Sequence, residues 1–278
     1  MKNKITKAIL PVAGLGTRVM PLTLHQPKAM IGIVDRPVVH YVIDEMISAG
    51  IKEIILVISP RHSEFKKYIS YLLRQDPAWR KIIFRVVTQK TPLGNGDAIF
   101  VARRFIKNEP FLVGFGDDLL ADINPPLKQL TSLFHKIKAP ILVLESVPKK
   151  LVSRYGVVKI KKAGVHRDIY QITDIIEKPS PEKAPSNLTV VGRYILTPKI
   201  LEEIKKLYPT AKRGKELYLT DALKTYLRDG GKIYGWHFRG ARFDCGSKIG
   251  ILKAQAYFGT RHPEFKKEFK KYLKKINI

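Results

Sequence analysis

The chain has 278 residues, of which 45% are hydrophobic and 27% charged, which excludes a disordered or fibrous chain and allows a sizeable core. A single cysteine, Cys245, excludes an internal disulfide framework and a cysteine-rich zinc site. The balance of 51 basic against 24 acidic residues gives a formal charge of +27, which favours anionic partners.

The N-terminus, MKNKITKAILPVAG, sets lysines before apolar residues. Pro11 interrupts the short apolar run and no small-residue cleavage site follows, so it does not read as a signal peptide. KAILPV (7–12) reads instead as a strand, which empties into Ala13-Gly14-Leu15-Gly16, then Thr17, Arg18 and, further on, Pro27-Lys28. A strand running into a glycine-bearing loop suggests a phosphate site, because exposed backbone N–H groups can cradle an anion there. No G-K-[ST] closes the loop, so it is not a P-loop. GLGTRV also lacks the third glycine of the dinucleotide fingerprint. What it offers is N–H groups from Gly14 to Thr17 with Arg18 and Lys28 as cations, a set suited to a triphosphate.

A helix is expected over 37–50, with Pro37 in its first turn and Gly50 at its end. Then come a strand at 53–59, a helix at 63–75, a strand at 82–88, a helix at 95–106, a strand at 110–116, a helix at 126–137 and a strand at 140–147. Apolar strands alternating with amphipathic helices predict an α/β fold: a Rossmann-like, mostly parallel sheet sandwiched by helices. In such sheets ligands bind beyond the carboxyl ends of the strands. The stretches 156–162, 169–179 and 188–196 read as strands without intervening helices, a small inserted β element. Helices return at 198–208 and 218–229, and a strand follows at 232–238. The last segment, 263–278, puts Phe265, Phe269, Tyr272 and Ile276 on one helical stripe among lysines, which reads as a docking helix or subunit contact rather than a membrane binder. The expected organisation is one nucleotide-handling α/β domain over 1–260, with a basic amphipathic helix over 261–278.

No apolar run approaches a membrane span, and the cytoplasm is the expected compartment. The lysines are spread along the whole chain without an RNP, zinc-finger or helix-turn-helix signature, so nucleic-acid binding is not favoured, and the charge reads either as a lysine-rich surface or as attraction for a polyanionic small molecule such as a nucleotide. The seven histidines show no ligand spacing and none is assigned to a metal. Cys245 has no base beside it and reads as a small packed residue.

The run Gly14-Leu15-Gly16-Thr17-Arg18…Pro27-Lys28 resembles the G-x-G-T-R…P-K signature of the sugar-1-phosphate nucleotidylyltransferases. The resemblance continues in order through 35–57, Gln89 with 94-GNGDA-98, 116-GDD-118, 155-YGVV-158, 177-EKP-179, 191-VGRYIL-196, 217-LYLTDAL-223 and 244-DCGSKIG-250. Within that family the chain is similar to the bacterial UTP–glucose-1-phosphate uridylyltransferases. The resemblance implies Mg²⁺-dependent attack of a sugar-phosphate oxygen on the α-phosphorus of a nucleoside triphosphate, with pyrophosphate leaving. It also implies a homo-oligomer, dimer or tetramer.

On this resemblance Asp117 and Asp244 match the metal-binding aspartates. Taken alone, Asp117 would read as a turn or helix-cap residue, and Asp244 as a turn before Cys245-Gly246. Arg18 and Lys28 match the groups that hold the triphosphate, on a loop of Gly14, Leu15, Gly16 and Thr17. Gln89 and Gly94, with the backbone of Ala13 and Gly14, match the base-reading positions. Lys178 matches the lysine on the sugar phosphate and Glu177 the acid on the sugar hydroxyls. Gly156 lets the backbone approach the sugar, and Val191 packs beside it.

Three departures stand out. Ala29 follows Pro27-Lys28 where the uridylyltransferases carry an acid, which the resemblance puts on the nucleoside side of the site. Asp97 stands where histidine is usual. The segment near 70–85 is short, as in the thymidylyltransferases, so a dTTP-using or relaxed-specificity enzyme is the alternative of the same class. A non-catalytic sugar-nucleotide or nucleic-acid binder is the alternative suggested by the charge, and the joint presence of Lys28, Asp117, Lys178 and Asp244 favours the enzyme.

Overall fold

The computed structural model describes residues 4–164, 167–211 and 215–276. The first residues of the leader reading and the last two of the 263–278 helix lie outside the described residues. In chain order the elements are β1 (Lys7–Pro11), the two-residue strands β2 (Gly32–Ile33) and β3 (Arg36–Pro37), α1 (Val38–Ser48), β4 (Glu53–Ile58), α2 (Glu64–Gln75), β5 (Ile83–Thr88), α3 (Asn95–Val101), β6 (Phe111–Gly114), β7 (Asp118–Ala121), α4 (Pro126–Ile137) and β8 (Ile141–Ser146). The second half adds β9 (Gly156–Lys162), β10 (Ile169–Glu177), β11 (Leu188–Leu196), α5 (Pro198–Ala211), α6 (Leu219–Arg228), β12 (Ile233–His237), β13 (Ala241–Asp244), α7 (Lys248–Gly259) and α8 (Lys266–Lys275).

Nine strands form one sheet in the order β5-β4-β1-β6-β11-β8-β12-β10-β9. The expected parallel pairing holds across β5-β4-β1-β6 and again between β8 and β12. The middle is antiparallel, because β11 runs between β6 and β8 against both. All of its residues are buried, as expected of a central strand covered on both faces. The inserted strands β9 and β10 form an antiparallel pair at the sheet's end.

Side chains alternate across the sheet with period two. Ala8 and Leu10 of β1 and Ile54 and Leu56 of β4 face a core closed by α1, α2, α4 and α7. Ile9, Ile55 and Val57 face a second core closed by α3, α5 and α6. Apolar residues at helical spacing, such as Val38, Val42, Ile43 and Met46 of α1, supply the covering stripes.

These directions bring the end of β1, the end of β5, the end of β6, the start of β9, the end of β10 and the first half of β11 to one rim. A short ladder not expected from the sequence, β7 with β13, sets Asp244 opposite Asp118. The 95–106 helix ends early at Val101 and continues as a 3-10 turn over Arg103–Phe105. On α8, Phe269 packs against Gly259, whereas Phe265, Tyr272 and Ile276 are exposed. Among the described residues no helix is long and apolar enough to cross a membrane.

Candidate active site

A cleft with two adjoining lobes opens at that rim. One lobe, about 430 Å³, is lined by Ala13, Gly14, Leu15, Gly16 and Thr17 from the loop after β1, by Gln89 beyond β5 and by Gly94 at the start of α3. The other, about 320 Å³, is lined by Tyr155, Gly156, Glu177, Tyr218, Thr220, Arg242 and Asp244. Arg18, Lys28, Asn95, Phe115, Asp117 and Lys178 line both and so stand at the junction. Apart from Val191, every site residue expected from the sequence lies on this one cleft.

In the first lobe, Gly94 has φ of +115°, and a Cβ there would fall 2.6 Å from the carbonyl oxygen of Leu217. Only glycine fits that approach. It lets the 89–95 loop lie against 217–219, where Asn95 Oδ1 accepts the N–H of Leu219 at 2.8 Å. The buried Gln89 donates its amide to the Gly94 carbonyl at 3.0 Å and to Asp97 Oδ2 at 2.7 Å.

At the junction, Asp117 follows the end of β6; beside it, on the wall of the second lobe, Asp244 ends β13. Oδ2 of Asp117 and Oδ1 of Asp244 lie 2.8 and 2.9 Å from the place a Cβ would occupy on Gly246. The two carboxylates therefore converge over that glycine. Lys28 Nζ donates to Asp117 Oδ2 at 2.5 Å, and Arg18 lies 3.7 Å from Asp244 Oδ2. Burial works to raise the Asp117 pKa, but the Lys28 ammonium, with Arg18 behind it, outweighs burial and holds it below the ordinary carboxylate value. For Asp244, burial and then the charges of Asp118 and Asp117 outweigh Arg242 and Arg18, and its pKa is raised.

The donor chemistry here fits a divalent cation with a preference for oxygen. Two carboxylates from separate elements face one space, their repulsion is incompletely compensated, and the ammonium and guanidinium beside them are the cationic partners a metal would share or displace. Among the described residues no group of three or more His, Cys, Asp or Glu side chains that could hold a metal converges, here or elsewhere, so the candidate donors are this carboxylate pair alone.

The second aspartate of the GDD run does something else. Asp118 Oδ1 accepts from Arg242 Nε at 2.8 Å, and its Oδ2 accepts the N–H of Gly192 at 2.9 Å. Arg242 also donates to Glu145 at 2.8 Å and sits over the Tyr155 ring. The Tyr155 hydroxyl in turn donates to Asp244 Oδ2 at 3.0 Å. Arg193, fully buried on β11, donates to the carbonyls of Phe115 at 3.1 Å and Asp118 at 2.7 Å and pairs with Glu45 at 2.8 Å. It pins the loop that carries Asp117.

In the second lobe, Glu177 accepts from the Thr220 hydroxyl at 2.8 Å, and burial raises its pKa. Lys178 has φ of +45° directly before Pro179, a left-handed conformation that strains a non-glycine residue and is found at functional sites. Its ammonium lies 3.5 Å from Glu177 and 4.6 Å from the centre of the Tyr218 ring.

Two expectations are corrected. The side chain of Val191 does not face the cleft; it is wholly buried in the sheet's first core, and its neighbours Val190 and Gly192 line the lobe, as period-two alternation along β11 requires. Ala29 does not line the cleft either. Ala29 is buried, with its Cβ 3.3 Å from where a Cβ on Gly116 would lie, so it packs beneath the GDD loop.

Asn95, Asp118, Tyr155, Thr220, Tyr218 and Arg242 were not singled out from the sequence. All but Arg242 lie inside the motif runs that carried the resemblance, and that membership was their only signal.

Residues 7–260 match the model of the nucleotidyl transferase family. UTP–glucose-1-phosphate uridylyltransferase 1 of Streptococcus pyogenes serotype M3 is 35% identical over 293 residues, covering 99% of this chain and 95% of the relative. The Bacillus subtilis uridylyltransferase YngB is 34% identical, covering 99% and 97%. Among solved structures, a UDP-glucose pyrophosphorylase complexed with UDP-glucose superposes with a TM-score of 0.84 at 36% identity, covering 93% of this chain and 100% of the other. The UTP-bound enzyme from Acinetobacter baumannii gives 0.83 at 34%, covering 97% and 98%. With its glycine loop, paired aspartates and lysines gathered on one cleft, the chain belongs to the nucleotidyl transferase family.

Proposed function

We propose that the chain is a UTP–glucose-1-phosphate uridylyltransferase that makes UDP-glucose and pyrophosphate. The observation that carries this is the two-lobed cleft with Arg18, Lys28, Lys178 and Asp117 at its junction. One lobe suits a nucleotide and the other a sugar, and the charged groups stand where two phosphates would meet.

The sugar-phosphate oxygen forms a bond to the α-phosphorus of UTP, and the bond from that phosphorus to the pyrophosphate oxygen breaks. No covalent enzyme intermediate is needed. The protein's work is to hold two anions together in line and to offset their charge. Arg18 and Lys28 hold the triphosphate, with N–H groups of the 14–17 loop. Lys178 holds the sugar phosphate, and Glu177, kept in place by Thr220, accepts from sugar hydroxyls. Gln89 reads the imide edge of uracil. Asp117 and Asp244 are the residues that would hold Mg²⁺, which, when bound, offsets phosphate charge. The test is pyrophosphate release with glucose 1-phosphate and UTP, compared with dTTP, CTP, ATP and GTP. A preference for UTP is expected, and no release with any nucleotide would overturn the reading.

A further inference from the structure

We propose that Asp97 is a specificity-determining positioning residue: together with the Gly94 carbonyl it locks the Gln89 amide so that only Oε1 is left for the base, selecting a pyrimidine that carries hydrogen on N3 over cytosine. The inference rests on the reading of the first lobe as the nucleotide lobe.

The orientation of a glutamine amide follows from what its neighbours can do. Gln89 Nε2 lies 3.0 Å from the carbonyl oxygen of Gly94 and 2.7 Å from Asp97 Oδ2. Both partners are acceptors only, a peptide carbonyl and a carboxylate. Turning the amide over would set its oxygen against two other acceptors in a buried place, where unpaired polar groups are costly. The two amide hydrogens are thus both engaged, and the remaining capacity of Gln89 is the acceptor Oε1.

Asp97 is itself locked. It is buried in the first turn of α3, where the helix N-terminus favours negative charge, and its Oδ1 accepts from the Tyr208 hydroxyl of α5. Gln89 faces the lobe, whereas Asp97 lies behind it and does not line it. Histidine at this position, usual in the resembling enzymes, has a ring nitrogen that either donates or accepts and would not dictate one amide orientation in the same way. Uracil and thymine present N3–H, a donor that a fixed Oε1 meets. Cytosine presents a lone pair at N3, which Oε1 repels. A site built to pair an N–H rejects strongly the analogue that lacks it.

The experiment uses the full chain and measures kcat and KM for UTP and CTP with saturating glucose 1-phosphate, together with direct calorimetric affinities for both nucleotides. The wild type is expected to favour UTP over CTP by about 100-fold or more. In Asp97→Asn the new amide can turn either face to Gln89. The UTP-to-CTP ratio should then fall about tenfold or more, through KM for the nucleotide, with KM for glucose 1-phosphate unmoved. A packing role alone would weaken both nucleotides equally. Tyr208→Phe, which removes only the hydroxyl, should shift the ratio less and in the same direction, and it stands in if Asp97→Asn does not fold. An unchanged ratio in the folded variant overturns the proposal. Absence of turnover with every nucleotide would instead overturn the uridylyltransferase reading; equal wild-type affinity for UTP and CTP would then overturn the role of Asp97 as well.

Discussion

The ammonium of Lys28 lies 2.5 Å from Oδ2 of Asp117, although 89 residues separate them in the chain. On the proposed reading, a cation that would hold the triphosphate thus compensates, in the free protein, a carboxylate that would hold the metal. Lys28→Ala should lower kcat/KM for UTP about 10²–10³-fold. It should also cost about 1–3 kcal/mol of stability, because Asp117 is left with its main partner gone. The stability losses of Lys28→Ala and Asp117→Asn should add to less than their sum in the double variant, as partners in one contact do. Steady-state kinetics and urea unfolding test both statements.

Glu177 gives a pH signature. Burial raises its pKa, so it binds a proton more readily in the fold than in the unfolded chain. Its stabilising contribution is therefore present below the unfolded value and lost as the pH rises through the folded one. On the proposed reading, sugar binding runs the opposite way, since only the ionised carboxylate offers all its acceptors to hydroxyls. KM for glucose 1-phosphate should rise as the pH falls, beginning above the ordinary glutamate value of about 4.3. Glu177→Gln should have a higher KM and a shallower rise over the same range, keeping only the part that comes from protonation of the sugar phosphate itself, whose second pKa is about 6.

Arg193 joins stability to the site. Its guanidinium is fully buried between Glu45 on α1 and the carbonyls of Phe115 and Asp118. Arg193→Leu leaves the Glu45 carboxylate buried without its partner, at a cost of about 3–5 kcal/mol. It also frees the loop carrying Asp117, so kcat should drop in whatever fraction stays folded. A thermal midpoint close to that of the wild type would contradict this.

The legible part of the fold was the part with a clean period. The run 53–59 is a near-continuous apolar strand, 82–88 is a β-branched apolar run broken by Arg85, and 126–137 keeps an apolar stripe at helical spacing, so their places emerge from the sequence. The direction of β11 does not, because nine buried residues read the same in either direction and its partners are set by distant chain crossings. The β7–β13 ladder is only four residues long on each side, too short to show a period.

The site follows the same division. Lys28, Asp117, Lys178 and Asp244 were named from the sequence because each stands in a recognisable run. Val191 was misplaced by one position, which in a strand reverses the face. Ala29 looked like a missing nucleoside contact because the resembling uridylyltransferases carry an acid at that position; the 3-10 turn over Lys28–Met30 buries Ala29 while Lys28 lines the cleft. The link from Tyr208 through Asp97 to Gln89 joins α5, α3 and the loop after β5, and no local spacing announces it.

The most direct test of the central claim is pyrophosphate release from UTP and glucose 1-phosphate in the presence of Mg²⁺, comparing the wild type with Asp117→Asn and Asp244→Asn. The expected result is a wild type that turns over UTP and variants slowed at least about 10³-fold, with circular dichroism showing an intact fold. Wild-type rates in Asp117→Asn would contradict the assignment of the junction between the lobes as the catalytic centre.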